Sequence, residues 1–174
     1  MTLSVVVGLG RSGIGAARLL KAQGSEVVVL EKAENDACTR KSAELRQQGI
    51  DVQLGQPLEI SSFEPWLDEI DQVVISPGIA WTHPTLEALR TRGVPVKGEM
   101  ALAWETLKKH PWIGITGTNG KTTVTHLLHH VLKHGGLKAP MAGNVGYSAA
   151  ELALGCLEGS SPLPDWVVME MSSY

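Results

Sequence analysis

The chain alternates short, unbroken apolar runs with longer stretches of mixed polarity. Leu3 to Val7 is apolar and rich in β-branched residues, and Glu26 to Leu30 and Gln72 to Ile75 repeat the pattern. Such runs suit strands buried on both faces of a parallel sheet. Between and after them, Ile14 to Gln23, Thr39 to Gln48, Pro84 to Arg92 and Met100 to Lys108 read as helices, and Asp51 to Leu54 and Val94 to Lys97 as two further strands. Strand and helix in strict alternation predict a doubly wound α/β domain with a parallel sheet. After His110-Pro111 the alternation restarts with a strand at Trp112 to Ile115 and a helix at Thr122 to His134, stopped by Gly135-Gly136. A weak strand at Leu137 to Ala142, a flexible polar connection from Gly155 to Pro164 and a buried strand at Trp166 to Met169 follow. The pattern therefore divides the chain into residues 1–109 and 110–174.

Each half opens on a strand that runs into a glycine-rich loop. In the first, Gly8-Leu9-Gly10-Arg11-Ser12-Gly13 is G-x-G-x-x-G between strand and helix, and Glu31 ends the second strand where a ribose-binding carboxylate belongs in a Rossmann-like unit. A nucleotide held at this edge, or a tight turn with close helix packing, would each account for the glycines. Ser76-Pro77-Gly78-Ile79 follows a buried strand on the same edge and is either a ligand contact or a plain β-turn. In the second half, Gly117-Thr118-Asn119-Gly120-Lys121-Thr122-Thr123 is a phosphate cradle. Its glycines let successive N–H groups point inward, the helix start adds its positive dipole end, Lys121 offers an ammonium and the Thr122 hydroxyl suits Mg²⁺. The usual first glycine is replaced by Ile115, but strand, loop and helix come in the required order. Asn144, in Gly143-Asn144-Val145-Gly146, is a ligand contact or a turn former. Glu170, at the end of the last strand, is a metal-organising acid or a strand cap.

Composition changes this picture little. With 43% hydrophobic residues over 174 positions and a net charge of −3, the chain can build α/β cores and offers no electrostatic reason to expect nucleic acid or a membrane surface as partner. The apolar N-terminal run breaks at Gly8 with no basic flank, so a cytosolic location is expected. Cys38 and Cys156 are far apart and read as free thiols. His126, His130 and His134 fall in line on one helix, but no carboxylate or thiolate accompanies them, so they are read as solvated residues near a helix end rather than metal ligands.

The cradle Thr116-Gly117-Thr118-Asn119-Gly120-Lys121-Thr122-Thr123 resembles the ATP loop of the Mur ligase family, which adds amino acids to the peptidoglycan precursor. Gly8 to Gly13, Ser76-Pro77-Gly78-Ile79-Ala80, Gly143 to Gly146 and Glu170-Met171-Ser172-Ser173-Tyr174 extend the resemblance over the whole chain, in the pattern of the branch that adds D-glutamate. The resemblance implies a UDP-sugar-binding Rossmann-like domain followed by the incomplete start of a P-loop ATPase domain. It implies ATP and Mg²⁺ as cofactors, UDP-N-acetylmuramoyl-L-alanine and D-glutamate as substrates, and amide formation through an acyl phosphate. By the same resemblance Lys121 and Glu170 are catalytic, Thr122 and Glu170 organise the metal, and Asn144 and Ser172 face the muramoyl substrate. Arg11, Ser12, Glu31, Lys32, Ser76, Pro77 and Gly78 hold the UDP. The alternatives are another Mur-type ligase, a nicotinamide-dependent oxidoreductase built on the first loop, and a nucleotide-binding module without turnover. Because a core strand stands last with no helix after it, the second half is expected to be incomplete, with Trp166 to Met169 exposed, and to be inactive alone.

Overall fold

A computed structural model describes residues 2–172, so Ser173 and Tyr174, which end the carboxyl-terminal motif, lie outside the described residues. By contact the chain divides into two compact units between Leu102 and Ala103, earlier than the division expected after Lys109 and inside a helix rather than a loop.

The first unit is built on five parallel strands, β1 (Leu3–Val7), β2 (Glu26–Leu30), β3 (Asp51–Gln53), β4 (Ile70–Ile75) and β5 (Val96–Gly98), in the order β3-β2-β1-β4-β5. The strands are connected by α1 (Arg11–Ala22), α2 (Asp36–Gln47) and α3 (Pro84–Thr91), and α4 (Glu99–Leu107) leaves β5. The unbroken apolar runs have the burial they predict, with Val5, Val6, Val29, Val73 and Val74 all at 0% exposure. Phe63, the chain's lone phenylalanine, is also fully enclosed, in the irregular segment before β4 that folds as two short 3-10 turns, Ile60–Ser62 and Glu64–Trp66. Val7 lies opposite both Leu30 and Ile75, so β1, β2 and β4 end level and deliver Gly8, Glu31 and Ser76 side by side. The strand order changes direction on either side of β1, and in open parallel sheets ligands bind at the carboxyl ends of the strands at such a switch point.

The second unit holds three parallel strands, β6 (Trp112–Ile115), β7 (Met141–Gly143) and β8 (Val167–Glu170), in the order β6-β8-β7. Between them run α5 (Lys121–His134) and α6 (Ala149–Leu157). The last strand is therefore the central one. Val167 and Val168 are at 0% exposure and Met169 at 1%, which corrects the expectation that Trp166 to Met169 is left uncovered. That expectation came from the lack of a helix after the strand, whereas the β7 to β8 crossover returns the chain to the middle of the sheet, where α5 packs against β8. Two further corrections are local. Helix α6 takes up the start of the supposed polar connection at Gly155, and the expected strand from Leu137 begins only at Met141. The segment before Met141 is used otherwise: the Lys138 N–H donates to Asp165 Oδ2 at 2.7 Å, and Pro140 has no N–H to give a ladder.

Candidate functional site

In the first unit, the loop after β1 is drawn tight against its helix. Gly8 has φ +101°, a conformation that L side chains rarely adopt, and a Cβ on Gly13 would sit 1.9 Å from the Gly8 carbonyl oxygen. The Ser76 hydroxyl donates to Val7 O at 3.0 Å and so ties the β4 loop to the same edge. Glu31 Oε2 accepts the Leu9 N–H at 2.6 Å and its Oε1 accepts the Ala33 N–H at 2.8 Å. Arg11 and Ser12 open α1, whose N-cap, Gly10, offers no side-chain hydrogen bond to the first turn. Pro77 and Gly78 are exposed beyond Ser76, and Lys32 is exposed beyond Glu31. The structure thus brings Arg11, Ser12, Glu31, Ser76, Pro77 and Gly78 to one edge of one sheet. What the sequence did not signal is Lys41, on α2, whose ammonium donates to the Leu9 carbonyl at 3.3 Å. Nothing in the spacing around Lys41 distinguishes it from a solvated helix lysine.

In the second unit the strand register again does the gathering, since Glu170 pairs with Ile115 on one side and Gly143 on the other. That row sets the cradle after β6, the Asn144 loop after β7 and the end of β8 along one edge. Gly120, with φ +75°, is the N-cap of α5, and no side chain caps the helix there. The Lys121 ammonium lies over the loop, donating to Gly117 O at 2.6 Å and Thr118 O at 3.3 Å. Thr118, Asn119, Thr122 and Thr123 are exposed at the mouth. Asn144 Nδ2 donates to Ser172 Oγ at 3.1 Å, and the Asn144 N–H donates to Glu170 O at 3.2 Å, so the two residues expected to face one substrate are in contact. Gly143 has to be glycine here: φ is +99°, and a Cβ would stand 2.2 Å from Glu170 O.

Glu170 itself is 5% exposed, and its Oε2 is buried without a hydrogen-bond partner. A carboxylate oxygen withdrawn from water with nothing bound to it is costly unless a cation or donor belongs there. Mg²⁺ is held by one or two carboxylates together with phosphate oxygens and water, so a single buried carboxylate on the same edge as the glycine-rich loop that opens α5 fits that ion. Among the described residues no group of three or more His, Cys, Asp and Glu side chains is placed to hold a metal. The α5 histidines have other surroundings: His129 Nδ1 is 2.6 Å from Ala139 O, and the His130 and His134 rings meet edge to face at 4.3 Å. Cys156 is half-buried on α6, where burial pushes its thiol pKa up.

Comparison with known families decides the class. Residues 2–98 match the family described as Mur ligase MurD-like, N-terminal domain, and residues 115–174 match the Mur ligase middle domain. The chain belongs to the Mur ligase family. Among curated Mur ligases it is 62% identical over 174 residues to the UDP-N-acetylmuramoylalanine--D-glutamate ligase of Synechococcus sp. (strain CC9902), and 63% identical over the same length to that of Prochlorococcus marinus (strain MIT 9313). In both cases the match takes in 100% of this chain and 38% of the relative. Among solved Mur ligases, the murein peptide ligase of Psychrobacter arcticus 273-4 superposes with a TM-score of 0.57 at 19% identity, covering 100% of this chain and 38% of that one. The UDP-N-acetylmuramate-alanine ligase MurC of Thermotoga maritima gives 0.51 at 24% identity, covering 99% and 37%. These two likenesses establish the shared α/β fold. Among the described residues, no helix is long and apolar enough to cross a membrane.

Proposed function

We propose that the chain supplies the UDP-sugar-binding domain and the ATP cradle of a ligase that joins D-glutamate to UDP-N-acetylmuramoyl-L-alanine in peptidoglycan precursor synthesis. The observation that carries this reading is the buried, unpartnered Glu170 oxygen on the same sheet edge as the cradle. A plain strand cap would face solvent or a backbone donor, whereas a phosphate site with a divalent cation calls for such an acid. The 62–63% identity to D-glutamate-adding relatives supports the choice of substrate. The oxidoreductase alternative, built on the first glycine loop, leaves the second loop, Gly117 to Thr123 at the start of α5, without a role.

Amide formation from a carboxylate requires its oxygen to become a leaving group. The substrate carboxylate attacks the γ-phosphorus of ATP, forming a C–O–P linkage and releasing ADP. The D-glutamate amine then adds to the activated carbonyl, loses a proton, and the C–O bond breaks to expel phosphate. Both steps gather negative charge on oxygen, so the protein's part is positioning and electrostatic stabilisation. Lys121 lies over the loop to neutralise phosphoryl charge, and the N–H groups at the start of α5 share it. Thr122 and Glu170 would hold Mg²⁺, which supplies further charge neutralisation to the phosphoryl oxygens when bound. The Asn144–Ser172 pair presents an amide and a hydroxyl for the muramoyl substrate. Arg11, Ser12, Glu31, Lys32 and Ser76 to Gly78 bind and orient the UDP portion.

The test is calorimetric titration with ATP in the presence and absence of Mg²⁺, for the unaltered chain and for Glu170→Gln, which keeps size and drops charge. The Mg²⁺-dependent gain in affinity should disappear in the variant, a loss of about 1.5–3 kcal/mol for a charged hydrogen-bonding group. An undiminished Mg²⁺ effect in Glu170→Gln removes Glu170 from the metal site.

A further inference from the structure

The geometry points to a further binding site in the second unit, a cavity at the far end of α5 that takes a small molecule with an apolar body and one anionic group of the carboxylate or sulfonate kind. The cavity measures about 430 Å³, inside the range of roughly 300–1,000 Å³ usual for small-molecule sites. The carboxyl-terminal half of α5, the turn leading to β7, the loop that returns after β7, the start of α6 and the segment after α6 all contribute to its lining. Ala139 and Leu152 are buried parts of the wall, while Leu137 and Tyr147 stay exposed, Tyr147 at 57%. Tyr147 is held there by its backbone, which donates to Met141 O and accepts from the Gly143 N–H. Lys121 of the cradle and Lys133 of the cavity are twelve residues apart on α5, about 18 Å along the helix axis. The inference therefore stands apart from the reading of the cradle.

The charge on the lining selects the ligand. His129, Lys133 and Lys138 line the cavity and no acidic residue does, in a chain whose net charge is −3. Among the described residues neither ammonium has a hydrogen-bond or ion-pair partner. Asp165 and Glu151, the carboxylates of the adjoining segments, accept the backbone N–H groups of Lys138 and Ser148 and make no ion pair with either lysine. The last carbonyls of α5, at Val131, Leu132 and Lys133, accept the Gly135, Leu137 and Gly136 N–H groups, so the turn caps the helix without help from a lysine. His129 Nδ1 donates to Ala139 O, which leaves Nε2 as the second polar atom of the ring. A lysine ammonium is a point charge on a flexible stem, and a polyphosphate calls in addition for a row of backbone N–H groups. This cavity has no glycine-rich cradle, and the start of α6 is closed by its own capping box. Two ammonium groups beside apolar walls of Leu137, Tyr147 and Leu152 suit a single small anion carried on an apolar body.

The experiment titrates the full chain with anilinonaphthalene sulfonate, an aromatic body carrying one anion, and with phenylnaphthylamine, the same body without the sulfonate. Fluorescence gives the affinities and amide chemical shifts give the place. The sulfonate should move the amides of His129, Lys133, Leu137 to Ala139, Tyr147 and Leu152 and leave Gly117 to Thr123 unmoved, and the neutral compound should bind about tenfold more weakly. Lys133→Met combined with Lys138→Met should weaken the sulfonate by about tenfold, the joint loss of two exposed ion pairs, and leave the neutral compound unchanged. Both lysines are exposed, so the double variant keeps the core intact. The site is overturned if neither compound binds, if the two bind equally, or if the double variant binds the sulfonate as the unaltered chain does. It is overturned as well if the shifts fall instead on the cradle or on the exposed apolar stripe of α5 at Val124, Leu127 and Val131.

Discussion

Substituting alanine for Gly13 adds one methyl group, and the structure states where it must go. A Cβ there would lie 1.9 Å from the Gly8 carbonyl oxygen, 3.0 Å from its carbon and 3.2 Å from Ser76 Oγ. The first two contacts are backbone, so no rotamer relieves them; α1 must move off β1, or the loop must open. Overpacking of this kind costs about 1–3 kcal/mol, against which alanine's better helix propensity returns about 1 kcal/mol at most. Because the closest atoms are backbone, the cost falls in the upper part of that range, about 2–3 kcal/mol, and the net loss is about 1–2 kcal/mol, which in a unit near 100 residues lowers the midpoint by about 4–8 °C per kcal/mol. Gly10→Ala is the control, because nothing lies within 4 Å of a Cβ there and its φ is not positive. The assay is hydrogen exchange of the β1 amides Val5 to Val7, which reports this unit alone, together with thermal unfolding by circular dichroism. Gly13→Ala as stable as the unaltered chain, or Gly10→Ala equally damaging, would refute the claim that close approach of helix and loop requires the third glycine.

Three further outcomes follow from the same geometry. Lys121→Ala removes the ammonium held over the cradle and should weaken ATP by about 1.5–3 kcal/mol in calorimetry, with UDP-sugar affinity unchanged. Arg11→Ala should do the reverse, weakening UDP-N-acetylmuramoyl-L-alanine and leaving ATP as it was; a loss of ATP affinity instead would mean that the two sites have been exchanged. Ser148→Ala should cost about 1 kcal/mol of protection in α6, measured by hydrogen exchange across Ala149 to Leu157, because it breaks a capping box in which Ser148 Oγ accepts the Glu151 N–H and Glu151 accepts the Ser148 N–H.

That last element shows where sequence reasoning stopped short. The signal for α6 was present as Ser148 followed three residues later by Glu151, ahead of an apolar run, but the small residues Ala149, Ala150 and Ala153 and the internal Gly155 obscure any amphipathic stripe. The β-branched strands were legible because burial on both faces leaves little room for polar residues, and the two glycine loops because their chemistry is local. The central place of β8 was not legible, since strand order is set by crossovers and not by the run of residues itself. Individual contacts at the sites divide in the same way. Glu170 and Lys121 are positioned by strand end and helix start, which spacing reveals, whereas the grip of Glu31 and Lys41 on Leu9 is a long-range contact between segments that no local pattern encodes. The α5 histidines illustrate the limit as well. Helical spacing aligns His126, His130 and His134, yet it is His129, off that line, that contacts the backbone at Ala139.

On the proposed function, the chain carries two nucleotide sites of different kind, one for the UDP-sugar and one for ATP. The measurement that tests it most directly is an amide chemical-shift titration of the full chain, first with UDP-N-acetylmuramoyl-L-alanine and then with ATP and Mg²⁺. The UDP-sugar should move the amides of Gly8 to Ser12 and of Ser76 and Gly78, and leave Gly117 to Thr123 unmoved. ATP with Mg²⁺ should move Gly117 to Thr123 and Glu170, and leave the first loop unmoved. Displacement of the UDP-sugar from the first loop by NADH, or amides of Gly117 to Thr123 that stay where they were at saturating ATP and Mg²⁺, would overturn the two-site reading.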